Sequence, residues 1–128
     1  VRSVAPATRV YAVSPLNSKV MIESVKANRI LELPSQPTLS DGTAGGVEPG
    51  SITFELVRDL VDEYVTVPEK EIAEALKEFM AVEHMLIEGA AAVAVAAYLK
   101  HKHDLAGKNV VVVICGANIA LDVLKSVL

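Results

Sequence analysis

Three residues at the end of one apolar run are the best placed in this chain to do chemistry. Asn109 to Asn118 reads NVVVVICGAN, and it stops on a thiol (Cys115), a residue with no side chain (Gly116) and an amide (Asn118). A β-branched run of this length, bounded by Lys108 and Gly116, predicts a strand buried on both faces, as in a parallel sheet. Ligands of such sheets enter a crevice at the carboxyl ends of the strands, which is where these three residues stand. A packing element with no ligand would also end in glycine, and a free cysteine is most often a small buried hydrophobe.

Two other stretches carry reactive or ligand-facing residue types. Pro34 to Gly50 holds three prolines and four glycines, too many breakers for a regular element, so Ser40 to Gly46 is a candidate binding loop. His101 and His103 stand in a charged turn, HKHD, two positions apart and off a common helix face. That spacing favours a solvated helix end over a metal site.

The elements that must position these residues alternate between strand and helix. Arg9 to Val13 predicts a first strand, after which Asn17 or Ser18 can cap a helix running to about Asn28. Ile30 to Leu33 is a candidate extended piece. Ser51 can cap a helix whose stripe is Ile52, Leu56, Val57 and Leu60, and a strand follows near Tyr64 to Val67. Pro68 suits a first helical position, with Glu69 and Glu71 in the first turn, where the helix dipole favours negative charge. The helix it opens runs to about Met85 with Ile72, Leu76, Phe79 and Met80 facing the core. The next helix, Gly89 to about Lys100, is nearly all Ala and Val and can bury most of its circumference. A last helix, Ile119 to Val127, follows the apolar run. At least three strands alternating with helices predict an α/β fold with a parallel sheet and right-handed crossovers.

Composition excludes several classes. The chain has 128 residues, 52% of them hydrophobic, and a net charge of −4, enough apolar material for one ordinary core. Its Lys and Arg are scattered and Trp is absent, so neither a basic stripe nor a stacking platform for nucleic acid is present. Gly89 to Leu99 is too short to span a bilayer, so no membrane partner is expected. A single cysteine makes no internal disulfide, which suits a reducing cytoplasm. GTAGGVEPG matches neither the dinucleotide nor the Walker phosphate loop. The chain opens on Val1 in what reads as the tail of a helix (VRSVAPAT) and ends in an apolar helix, so residues 1–128 are expected to be part of a longer protein.

SDGTAGGVEPGSITFELVRDLVDEYVTV, IEGAAAVAVAA and VVVVICGAN, in this order and at these separations, resemble the C-terminal half of the catalytic region of fold-type II, pyridoxal-phosphate-dependent serine/threonine dehydratases. The likeness runs from YAVSP to the end of the chain and is nearest the threonine ammonia-lyase group, which also includes serine racemases and hydroxyaspartate dehydratases. The resemblance implies a three-layer αβα, tryptophan synthase β-like domain. It also implies a pyridoxal 5'-phosphate cofactor, a β-hydroxy amino acid substrate, and a lyase that removes water and ammonia to leave a 2-oxo acid.

Site roles follow from the resemblance position by position. Cys115 matches the residue that faces the pyridine nitrogen; a neutral thiol there leaves the cofactor a weaker electron sink than a carboxylate would, which favours β-elimination. Gly116 and Asn118 belong to the same motif, with Ala117 where many relatives have a second glycine; Asn118 could also simply cap the helix that follows. Glu88, of the EGA motif, is expected near the cofactor ring, or else is a first-turn carboxylate favoured by the dipole. Gly42, of the DG motif, approaches the substrate side with its backbone, while Asp41 holds the loop together. Members with a structural cation carry carboxylates where Ser14 and Val20 stand here, so no metal is expected.

The lysine that forms the Schiff base and the glycine-rich phosphate loop precede the matched region in the family. None of the lysines from Lys19 to Lys125 sits in a matching motif, so no catalytic residue is assigned and the isolated chain is expected to be inactive. Its natural partners would be the missing N-terminal half and, in a homo-oligomer, further copies. Other readings are a racemase or hydroxyaspartate dehydratase relative and a non-catalytic α/β ligand-binding or interaction module.

Overall fold

Two parallel strands form the sheet. β1 (Tyr11–Pro15) pairs with β2 (Glu63–Val67) in the register Tyr11 to Glu63 through Pro15 to Val67, in a computed structural model that describes residues 1–128 throughout. The Asp62 carboxylate accepts the Val10 N–H at 2.7 Å at the entry to the pair. Leu16 N–H reaches the Val67 carbonyl at 2.8 Å at the exit. Both strands match the sequence expectation apart from their bounds, β1 running two residues further, into Pro15, because its extended backbone stays paired to β2.

The core lies between this sheet and two helices. α3 (Glu69–Glu83) buries Ile72, Ala75 and Leu76, with Phe79 and Met80 partly buried at the same face. Pro68 is its N-cap, one position before the place predicted, and His84 ends it in the left-handed conformation with its N–H on the Met80 carbonyl. α4 (Gly89–His101) is the most buried element: Ala91 and Ala92 are 0% exposed, and Ala90, Val93, Val95, Ala96 and Ala97 are buried with them. Its alanine-rich sequence predicts a cover from the missing half or another subunit. The chain supplies it, because short side chains let α3 and both strands come close.

α1 (Val20–Lys26) starts after Lys19, and neither Asn17 nor Ser18 caps it. Both side chains tie down the following loop: Asn17 Nδ2 donates to the Pro37 carbonyl at 2.7 Å, and the Ser18 hydroxyl bonds the Ser35 hydroxyl at 2.7 Å and accepts Gly45 N–H at 3.1 Å. Ile30 to Leu33 forms no strand; Leu31 N–H is taken by the Ser24 hydroxyl at 3.0 Å. α2 (Ile52–Leu60) follows Ser51 as predicted but buries another face. Phe54 points inward, while Ile52 is 73% exposed and Leu56 and Leu60 face solvent. The aromatic ring offers more apolar area than any aliphatic side chain of the expected stripe, so its burial sets the helix rotation. Residues 1–8 form turns, closed by bonds from Val4 and Ala5 N–H to the Val1 carbonyl and from Thr8 N–H to the Ala5 carbonyl, and no helix tail.

The third predicted strand is absent. Asn109 to Cys115 is irregular in conformation, and none of its backbone groups takes part in a hydrogen bond. Val111 is 88% and Val113 68% exposed, and only Val112 packs against the core. Burial of a strand on both faces needs neighbours at both edges, and β1 and β2 pair only with each other. Accordingly α5 (Leu121–Val127), which begins two residues later than predicted, hangs from an unpaired segment and buries only Val127.

Candidate functional site

Glu88 is the hinge of the site. It is the N-cap of α4, with an extended backbone that lets its carbonyl accept the first helical bonds from Ala91 and Ala92 N–H at 3.1 and 3.0 Å. Its carboxylate makes no cap bond to its own helix. Instead Oε2 accepts Asn118 N–H at 3.0 Å, and Glu88 N–H donates to the Gly116 carbonyl at 3.1 Å. Glu88 thus holds the segment after Cys115 from both sides, and it stands at the N-cap, where the dipole alternative would have placed a first-turn residue.

One glycine makes that approach possible, and a second lies beside it. A Cβ on Gly116 would lie 2.4 Å from both Cδ and Oε1 of Glu88, so any side chain there displaces the carboxylate. A Cβ on Gly42 would lie 3.5 Å from Glu88 Oε1 and 3.6 Å from Ala90 Cβ, which puts the Asp41–Thr43 turn in van der Waals reach of the same carboxylate. Gly42, Glu88, Gly116 and Asn118 therefore gather around one acidic group. Cys115 adjoins them in sequence, but its thiol is exposed. Asn118 caps nothing, the N-cap of α5 being Ala120; its backbone serves Glu88.

The 39–44 loop forms the other side. The hydroxyls of Ser40, fully buried, and Thr43 bond at 2.5 Å, Ser40 N–H donates to Thr38 Oγ1 at 3.1 Å, and Asp41 Oδ1 accepts Gly42 N–H at 2.9 Å. The loop leans on Gly89, where a Cβ would fall 1.7 Å from the Leu39 carbonyl oxygen, a clash with backbone that no rotamer change relieves. Leu39 N–H is held by Glu69 Oε2 at 2.7 Å. From sequence, Glu69 is placed only in a first helical turn and Gly89 only at a helix start, and neither is expected at the site. A glycine directly after a helix-capping glutamate is a legible hint of close approach; Glu69, thirty positions from Leu39, leaves no local signal.

The groups with shifted ionisation lie elsewhere. At the amino end of β2, a hydrogen bond from the Arg2 guanidinium, then one from Val10 N–H, holds Asp62 below the usual carboxylate range. Burial, with Asp59 nearby, raises Tyr64, whose hydroxyl donates to the Val57 carbonyl at 2.8 Å. His101 lies 3.8 Å from Asp104 and beside the Tyr11 ring, and His103 is exposed. Ser14 and buried Val20 supply no carboxylate. An open apolar groove of about 350 Å³ runs between α3, α4 and residues 112–114, among Phe79, Val95, Tyr98, Leu99 and Val112, without touching Glu88.

Loops gathered at a helix start beyond the carboxyl end of a parallel sheet define the ligand-facing side of an α/β protein. The sequence profile of the pyridoxal-phosphate dependent enzymes matches residues 1–116, and the chain belongs to that family. Over 128 residues it is 40% identical to the L-threonine ammonia-lyase of Thermotoga maritima, covering 100% of this chain and 31% of that protein. It is 35% identical to a catabolic L-threonine dehydratase of Staphylococcus aureus, covering 99% of this chain and 37% of the relative. The chain thus spans about a third of the length of these curated relatives. Its structure is similar to threonine deaminase isoform 2 from Solanum lycopersicum (TM-score 0.87, 28% identity, 98% of this chain and 37% of that one). It is also similar to maize serine racemase (TM-score 0.84, 28% identity, 98% and 39%).

Proposed function

We propose that this chain is one wall of the active site of a pyridoxal-phosphate-dependent lyase that removes water and ammonia from threonine or serine to leave a 2-oxo acid. The observation that carries the reading is the convergence of Gly42, Glu88, Gly116 and Asn118 in a chain that belongs to this family. The cofactor, when bound, acts as the electron sink for the bond-breaking at the amino acid.

These residues fit one side of such a group. The exposed thiol of Cys115 is free to face a ring nitrogen, and Gly116 brings bare backbone where a side chain would displace the Glu88 carboxylate. Glu88 fixes the segment that carries the thiol, and Gly42 offers backbone on the substrate side. No residue of this chain is assigned the covalent anchor or the phosphate cradle, so the rest of the enzyme supplies both, and a homo-oligomer in the cytoplasm is the natural setting.

The 128-residue chain alone should bind pyridoxal phosphate weakly. Titration should reveal no lysine-linked absorption band, and a stable one would overturn the assignment of the anchor to another part of the protein. The protein that carries this segment, given cofactor and threonine or serine, should release 2-oxo acid and ammonia. The likeness to serine racemase favours a second reading, a racemase, which D-serine appearing without 2-oxo acid would support.

A further inference from the structure

We propose that Glu69 is a positioning residue for the 39–44 loop, holding it in register with α4 so that Gly42 meets Glu88. The carboxylate opens α3, yet it serves no bond of its own helix. Oε2 accepts Leu39 N–H at 2.7 Å, a short charge-assisted bond, while Oε1 is buried with no partner at all. A half-buried carboxylate with one inaccessible, unpartnered oxygen is a poor stabiliser, since its desolvation is offset by one hydrogen bond instead of several. Its value is geometric: it fixes a single backbone amide.

That amide is well chosen. Leu39 is the residue whose carbonyl rests on Gly89, and the buried Ser40 next to it starts the turn that carries Gly42. The loop is therefore fixed at two consecutive points, the Leu39 N–H by Glu69 and the Leu39 carbonyl by the bare backbone of Gly89. With the first point released, the carbonyl can lift from Gly89 and Gly42 loses its distance to the Glu88 carboxylate. The same device recurs on the other side of the site, where Glu88 at the start of α4 leaves its own helix uncapped and holds Asn118 N–H. Each site loop is thus held by a carboxylate at the start of the helix beside it.

The proposal rests on the proposed function only for its catalytic consequence, so its test reads the loop itself. In the full chain, amide hydrogen exchange is followed at Leu39, Ser40 and Thr43, with interior α3 amides as the internal standard. Glu69→Met keeps the methylene packing but removes both acceptors; it should speed Leu39 exchange roughly ten- to a hundredfold relative to α3, the loss of a bond to a charged group. Glu69→Gln, whose amide oxygen accepts the same N–H, should stay within about threefold of the parent. Glu71→Ala, which removes another first-turn charge, should leave Leu39 unchanged. Equal exchange in Glu69→Met and parent, a uniform rise across α3, or an effect of Glu71→Ala as large as that of Glu69→Met would overturn the proposal. If Glu69→Met does not fold, Glu69→Ala takes its place: Leu39 exchange that rises relative to α3 supports the positioning bond, and exchange equal to the parent's refutes it. Release of 2-oxo acid by the protein that carries this segment is read separately, which keeps the two readings apart.

Discussion

α4 and the Asn109–Cys115 segment are two of the most apolar stretches of the chain, and they end in opposite surroundings. α4 is buried around nearly its whole circumference, whereas Val111 and Val113 face solvent and their backbone is unbonded. A helix satisfies its own backbone and asks its neighbours only to cover side chains, which α3 and the two strands do with short alanines to pack against. A strand asks its neighbours for hydrogen bonds as well. Apolar composition alone therefore makes a buried helix and leaves an apolar segment bare where no strand edge meets it.

The sharpest way to break this contrast is to place a charge in each region. Ala92→Glu buries a carboxylate with no partner, at a cost of about 3–5 kcal/mol, a large share of the roughly 5–15 kcal/mol by which a domain is ordinarily stable. Val111→Glu should shift stability by less than about 0.5 kcal/mol. Urea unfolding followed by circular dichroism measures both, and equal losses would show the segment to be covered after all.

Next in size is Gly89→Ala. Its Cβ would meet the Leu39 carbonyl oxygen at 1.7 Å, so either the loop or the start of α4 must move. We expect a loss of about 2–3 kcal/mol by the same unfolding measurement; Gly89 is the first residue of α4, so the preference of helix interiors for alanine offsets little of it.

Cys115 sharpens the comparison from the exposed side. Because the thiol is solvent-facing here, Cys115→Ser and Cys115→Asp should both leave the stability of this chain within about 0.5 kcal/mol. In the protein that carries the segment they should part company. Serine preserves the neutral contact and keeps the rate within about tenfold, a barrier change of roughly 1.4 kcal/mol, while aspartate alters the product ratio and lowers the rate far more. Indistinguishable rates for Cys115→Asp and the parent would remove Cys115 from the cofactor wall.

The smallest effect lies in the sheet. Tyr64 titrates above its ordinary value because burial, and then Asp59, disfavour its anion. Its contribution to stability is complete below the unfolded value near 10 and is lost as pH rises through the higher folded value. Tyr64→Phe should flatten the alkaline limb of a stability profile, and an unchanged limb would argue against the assignment.

Much of this architecture was legible before the structure. α3 carries the periodicity that defines it, α4 and both strands are marked by their apolar composition, and Pro68 with Glu69 and Glu71 marks the start of α3. The face of α2 was misread because Ile52, Leu56 and Leu60 form a regular stripe, while the rotation is decided by one ring, Phe54, against the rest of the fold. The third strand was misread because pattern reports side chains and says nothing of edges. In the candidate site, the motifs pointed to Glu88, Gly42, Gly116 and Asn118, and the geometry gathers them. The contacts of Glu69 and Gly89 join residues far apart in the chain; the glycine after Glu88 hints at a close approach without naming its partner, and nothing local encodes the bond of Glu69 to Leu39.

The β1–β2 pairing also sets an order of events. Val10 and Asp62, which open the pair, are 52 positions apart, whereas α3 and α4 are joined by a short link. Closing the long loop carries an entropy cost that grows with its length and that no contact offsets until the strands meet. Chain collapse should therefore begin with α3 against α4, the sheet docking afterwards onto that pair. In stopped-flow kinetics, Ile72→Val should slow refolding, whereas Val13→Ala, in β1, should chiefly hasten unfolding.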